Sequence, residues 1–271
     1  MLQTGTRLND RYVLVDMVGR GSLSEVWRAD DTTLGRVVAV KLTQPLLSDD
    51  PGFMSRFRAY AQAVAMLNDP HIVETYDVGQ TGGIYFLVMQ FLRDESLHAH
   101  LRRVGPLAPH EAMNLIAQAA RALHVAHRNG VVHGDVTTSN LLVRTDGHLL
   151  VSDFGLARIV SAESMTELRE SRTDGVYISP DTLKGHPSTP LTDIYALGAV
   201  AYVCLTQVEP FPGESPTQIA RTIVHRDPPP LPPHIPEAVR HIVMRALADP
   251  PSRWPSAEEM GAAAAALVHR G

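Results

Sequence analysis

Three residues in VVHGDVTTSN, residues 131–140, stand at a spacing that could do chemistry: His133, Asp135 and Asn140. An aspartate can orient or deprotonate a hydroxyl, and an asparagine oxygen is a hard ligand for a divalent cation. Asp153, which opens Asp153–Phe154–Gly155, is a second hard-oxygen donor. Near the start of the chain, Gly19, Gly21 and Ser24 give GxGxxS between two strand-like runs. Glycines there let a hairpin backbone approach phosphates with its N–H groups pointing at them. Taken alone, the pattern reads equally well as a plain turn. Lys41 closes VAVK, and a lysine at the end of a buried strand can hold phosphates. Alone it reads as an exposed strand-end lysine. Taken together, the parts suit the handling of phosphates and a divalent cation.

These residues need elements to position them. RYVLVDMVG, SEVWRAD and RVVAVKLT alternate as strands. DPGFMSRFRAYAQAVAMLN has helical spacing through Phe53, Phe57, Val64 and Leu67, with Asp49 or Asp50 as N-cap. HIVETYDVGQ and IYFLVMQFL follow as strands joined at the glycine pair 82–83. Beyond about residue 93 the texture is helical. EAMNLIAQAARALHVAHRNG reads as a long helix stopped at Gly130, followed by the short strands LLVRT and HLLVSD. A polar stretch, 159–176, leads into helices broken by proline-rich loops at 208–216 and 227–236. DPPPLPPHIP in the second loop reads as a stiff connection; a ligand for a polyproline-binding domain is the alternative.

Composition narrows the partners. Lysine and arginine total 24 against 29 acidic residues, a net charge of −5. That argues against a broad nucleic-acid or anionic-membrane surface and leaves room for a local basic patch. The single cysteine, Cys204, excludes an internal disulfide framework and, lying in ALGAVAYVCL, reads as core. The N-terminal residues lack the apolar stretch of a secretory signal, and no apolar run reaches the ~18 residues of a spanning helix. No metal site is expected from the scattered histidines.

In this order the motifs resemble the bacterial, eukaryotic-like (Hanks-type) Ser/Thr protein kinases. The resemblance runs from about residue 8 to 268 and extends to YISPD (177–181), TDIYALGAV (192–200) and DPPSRWPSAEEM (249–260). It implies an α+β, bilobal kinase fold as a single kinase-like domain over 1–271. The N-lobe, antiparallel sheet plus one helix, would span about 8–92, and the mainly helical C-lobe about 93–268. It implies ATP with Mg²⁺ (or Mn²⁺), Asp135 and Lys41 as catalytic residues, and Asn140 and Asp153 as metal ligands. Gly19, Gly21 and Ser24 would cover the phosphates. Val26, Ala39 and Leu142 would sandwich the purine, Met89 would be the gatekeeper, and Gln90 to Leu92 the hinge. Asp193 would brace the catalytic loop, and Arg253 would pair with Asp181. The implied partner is an unidentified protein substrate or regulator, and the implied location is the cytoplasm, as a separate protein or as a domain of a longer one.

Four positions depart from that family pattern. Tyr60 stands where a helical Glu pairs with the strand lysine, and an uncharged phenol is no counterion. Gly134 stands where an Arg receives an activation-loop phosphate, so a switch is lost and the chemistry is kept. Thr137 replaces a Lys that steadies the transferring phosphoryl group. Asp174 replaces a Thr and would set a second carboxylate toward Asp135. The expectation is therefore a kinase-like protein that binds ATP–Mg²⁺ with impaired catalysis, a pseudokinase acting as regulator or scaffold. The alternative is an active Ser/Thr kinase that needs no activating arginine. A third reading, a small-molecule kinase, is favoured by His133–Gly134–Asp135 and opposed by YISPD, TDIYALGAV and the SRW of 252–254.

Overall fold

The computed structural model describes residues 2–20, 24–43, 53–154, 176–211, 213 and 215–268. Gly21, Gly155, Asp174, the helix cap at Asp49 or Asp50 and the polar stretch 159–175 lie outside them. The described residues fall into two compact units, one of residues 2–68 and 73–93, the other of 69–72 with 94–154 and 176–268.

The first unit is built on six antiparallel strands: β1 (Arg7–Leu8), β2 (Tyr12–Arg20), β3 (Ser24–Asp31), β4 (Arg36–Thr43), β5 (Thr75–Thr81) and β6 (Ile84–Gln90), in the order β1-β2-β3-β4-β6-β5. Side chains alternate across a strand, so each strand addresses two faces. One face carries Trp27, Val38, Val40, Leu42, Phe86 and Val88, which with Leu8, Tyr12 and Leu14 make a dry core. The register places Val26 opposite Lys41, Lys41 opposite Leu87, and Ala39 opposite Met89, so these residues share the other face. Helix α1 (Phe53–Ala65) packs on that second face, with the Phe57 ring 5.8 Å from Tyr85. Its buried stripe is Phe57, Ala61 and Val64, a helical repeat. The β5–β6 hairpin turns through Gly82 and Gly83, both at positive φ, as the glycine pair predicts.

β5 begins at Thr75, later than the sequence suggests. The reason is pairing: Ile72 bridges in parallel to Val151, and the Val151 N–H donates to the His71 carbonyl at 2.8 Å. Residues 69–72 therefore leave the first sheet and belong to the second unit.

That second unit contains a small sheet, β7 (Glu95–Ser96), β8 (Leu141–Val143) and β9 (Leu149–Val151), and helices α2 (Leu97–Val104), α3 (Pro109–Arg128), α4 (Pro180–Leu183), α5 (Pro190–Thr206), α6 (Pro216–His225), α7 (Glu237–Ala246) and α8 (Ala257–Val268). The long helix predicted up to Gly130 is α3, and Gly130 follows it at φ +73°. α5 is buried around most of its circumference from Thr192 to Leu205, so its apolar run is a core helix. Burial raises the Cys204 thiol to about 12, which removes its nucleophilicity. Among the described residues no helix is long and apolar enough to cross a membrane. The proline-rich loop 227–236 is pinned by Leu231 and Ile235, each 2% exposed.

Candidate active site

The loop between α3 and β8 carries His133, Asp135 and Asn140, and a buried carboxylate fixes its shape. Asp193 sits in the first turn of α5, where an anion suits the helix dipole. Its Oδ2 accepts from the His133 N–H and its Oδ1 from the Gly134 N–H, both at 2.8 Å. His127, in the last turn of α3, lies 2.8 Å from Oδ2 through Nε2. A carboxylate only 1% exposed is thus met by three donors, as a buried charge requires. The bracing by Asp193 agrees with the resemblance. The part played by His127 escaped the sequence reading, although its place in the last helical turn before the loop was visible.

Gly134 has φ +73°, a left-handed conformation that costs an L side chain about 1–2 kcal/mol. The residue that replaces the family arginine therefore suits the backbone there. The buried His133 accepts from the Asp135 N–H at Nδ1 (3.2 Å). Its Nε2–H consequently donates to the Ser152 carbonyl at 2.8 Å, next to Asp153. The His133 and Phe154 rings lie 4.7 Å apart. Asp153 itself has φ +64°, a strained conformation for a residue other than glycine.

Asn140 donates through Nδ2 to the Asp135 carbonyl (2.8 Å) and to Asp135 Oδ2 (3.1 Å). With the amide nitrogen so engaged, its oxygen is the atom left for a cation. Asn140 and Asp153 together are an all-oxygen donor pair, a set that fits Mg²⁺ or Mn²⁺. Bound there, the cation would neutralise phosphate charge. Thr137 is turned inward, 2% exposed, and accepts from the Ser139 N–H at 3.3 Å. The neighbouring Thr138 hydroxyl is 3.1 Å from the Tyr177 hydroxyl, a buried link to YISPD that no short motif announced. Leu142 lies in β8, the middle strand of the small sheet.

In the first unit, Val26, Ala39, Lys41 and Met89 share the sheet face that α1 packs on. Gly19 pairs with Val26, and two register shifts in β2, between Leu14 and Asp16 and between Met17 and Gly19, twist the strand as it nears Gly19. Ser24 opens β3. Gln90 pairs with Val38 and so lies on the opposite face, and its N–H goes to the Glu74 carbonyl at 2.9 Å. Leu92 follows the end of β6 and is half-buried. Tyr60 is half-buried, flanking the Phe57 stripe of α1, and α1 contains no Asp or Glu.

Arg253 reaches Asp181 through Nη1 at 3.2 Å and also donates to the carbonyls of Ala248 and Leu191.

The fold and the braced loop define a protein kinase domain. The sequence pattern of that family, described as "Protein kinase domain", matches residues 12–264, and the chain belongs to the protein kinase family. It is 36% identical over 271 residues to the serine/threonine-protein kinase PknA of Mycobacterium tuberculosis, covering 98% of this chain and 63% of that protein. It is 36% identical over 262 residues to PrkC of Bacillus subtilis, covering 95% of this chain and 40% of that one. The chain thus spans less than two thirds of the length of these relatives. A double-mutant crystal structure of the M. tuberculosis PknI kinase domain superposes with a TM-score of 0.80 at 25% identity, over 99% of both chains. The architecture is accordingly the bilobal kinase fold, with an antiparallel-sheet lobe and a helical lobe.

Proposed function

We propose that this Ser/Thr kinase-family chain binds ATP–Mg²⁺ and transfers phosphate slowly, acting chiefly as a regulator or scaffold. Lys41, Gly19, Gly21, Ser24, Val26, Ala39, Met89, Gln90, Leu92 and Leu142 are its nucleotide contacts, and Asn140 and Asp153 its metal ligands. In the transfer step Asp135 would take the proton of a protein hydroxyl. The hydroxyl oxygen would bond to the γ-phosphorus as the bond to the β-phosphate oxygen breaks, and ADP would leave.

The observation that carries the impaired reading is Thr137, shut into the loop at 2% exposure with no charge to offer the moving phosphoryl group. Tyr60 adds to it, since α1 has no acidic side chain to hold a lysine. The braced loop favours the second reading, an active kinase, because Asp135 and Asn140 keep a rigid frame.

Two measurements on the intact chain test this. ATP with Mg²⁺ should raise the melting temperature, and radiolabelled γ-phosphate should reach a basic protein substrate only weakly and in a manner abolished by Asp135→Asn. Thr137→Lys combined with Tyr60→Glu should raise transfer ~10-fold or more, the usual scale for restoring transition-state charge. Absence of any nucleotide shift would remove the binding claim. Asp135-dependent turnover near the ~1–100 s⁻¹ usual for kinases would establish the active reading.

A further inference from the structure

Thr137 and Thr138 are adjacent and both 2% exposed, yet they serve different neighbours. The Thr137 hydroxyl stays inside the loop, where it accepts from the Ser139 N–H, and the Thr137 carbonyl accepts from the Asn140 N–H at 3.2 Å. Thr138 reaches outward twice. Its carbonyl accepts from the His98 N–H, in the first turn of α2, at 2.9 Å. Its hydroxyl shares a hydrogen bond with the Tyr177 hydroxyl at 3.1 Å, buried on both sides. A side chain between Asp135 and Asn140 is thereby joined to YISPD.

The far side of that link is itself anchored. Ser179 accepts from the Thr182 N–H at 3.3 Å and so caps α4, and Asp181 is held by Arg253. Tyr177 is 9% exposed, whereas Ile178, Pro180 and Asp181 are half-buried. Residues 177–181 thus form a rim fixed at both ends and partly open to solvent. A hydroxyl pair this buried is costly to separate, because each group would lose its partner without gaining water. The rim cannot shift from the catalytic loop unless that bond breaks. We propose that the Thr138–Tyr177 pair is a positioning latch. It sets residues 177–181 at a fixed distance from Asp135, so that an acceptor peptide resting on them presents its hydroxyl to that carboxylate. This guiding role rests on the slow-transfer function proposed for the chain; the latch stands without it.

Two experiments on the intact chain separate the latch from its guiding role. In amide hydrogen exchange, Tyr177→Phe should speed exchange across residues 137–141, and Thr138→Val should speed it across 178–183. Each effect should be ~5–10-fold, the scale of one hydrogen bond. Thr138→Ser, which keeps the hydroxyl, should match the wild type. The double variant should be no faster than either single one, because a shared bond can be lost only once. In transfer from radiolabelled ATP to the basic protein substrate, Tyr177→Phe and Thr138→Val should each raise the acceptor KM ~5–10-fold. The ATP KM and the ATP-dependent thermal shift should stay at wild-type values, a split that general loosening of the fold would not give. Exchange altered only around the substituted residue, or losses that multiply in the double variant, would overturn the latch. An unchanged acceptor KM, or an ATP KM that rises with it, would overturn the guiding role. A wild type that labels no acceptor would remove the transfer function and the guiding role together, while reciprocal exchange would still establish the latch.

Discussion

Arg253 holds Asp181 by one hydrogen bond, Nη1 to Oδ2 at 3.2 Å, while its second terminal nitrogen, Nη2, is buried with no hydrogen-bond partner. A guanidinium fork suits two carboxylate oxygens at once. The short aspartate serves only one arm, and the Tyr195 hydroxyl, whose ring lies 5.2 Å from the guanidinium carbon, is itself buried without a partner. Asp181→Glu should satisfy the second arm. The expected gain is about 1 kcal/mol, or about 2–4 °C in melting temperature. A lower melting point for this variant in differential scanning calorimetry would show that the pocket is shaped to the shorter side chain.

Gly134 supplies a second prediction, opposite to intuition. Restoring the family's arginine by Gly134→Arg, or placing a neutral Gly134→Ala, puts a β-carbon on a backbone at φ +73°. Each should destabilise the folded chain by about 1–2 kcal/mol. Urea denaturation checks this. An unchanged midpoint in both variants would mean that the loop shifts to negative φ at no cost, and the two bonds to Asp193 would then have to break.

Acid should loosen the first unit through Asp31. Its side chain is buried and accepts from Arg11 Nε at 2.7 Å and Nη2 at 2.8 Å, with Arg36 at 3.5 Å. The Arg11 hydrogen bond, helped by the N–H groups of Leu34 and Thr33, holds this carboxyl at about 2 against the cost of its burial. A folded pKa below the unfolded one gives stability that is present above the unfolded value and lost as pH falls. The loss should therefore run from pH ~4 to pH ~2. Denaturation midpoints measured across that window should drop for the wild type and drop less for Asp31→Asn. Parallel slopes would assign the acid sensitivity to other carboxylates.

How much of this could be read from the sequence depended on the range of the interactions. Strand alternation in RVVAVKLT already separates Lys41 and Ala39 from Val38 and Val40, and the structure keeps that division. The glycine pair 82–83 and the stop at Gly130 are local backbone effects and were equally visible. HIVETYDVGQ misled because its alternation is continuous, whereas the pairing of Ile72 with Val151 is decided by residues far along the chain. The same holds for Thr138 and Tyr177, joined across 39 residues, and for His127 and Asp193, joined across 66. Gly134 looked like the loss of a charge. Only its dihedral angle reveals that the position also favours glycine.

The two-faced strand β4 has an evolutionary consequence. Substitutions at Ala39 or Lys41 can alter the face they share with Val26 and Met89 without disturbing the core, because Val38, Val40 and Leu42 answer to different neighbours. Insertion or loss of a single residue in that strand is another matter. It would rotate the ammonium into the hydrophobic layer and the valines out of it. This stretch of the gene can therefore drift by point changes and is closed to changes in length, so its descendants should differ in chemistry long before they differ in spacing.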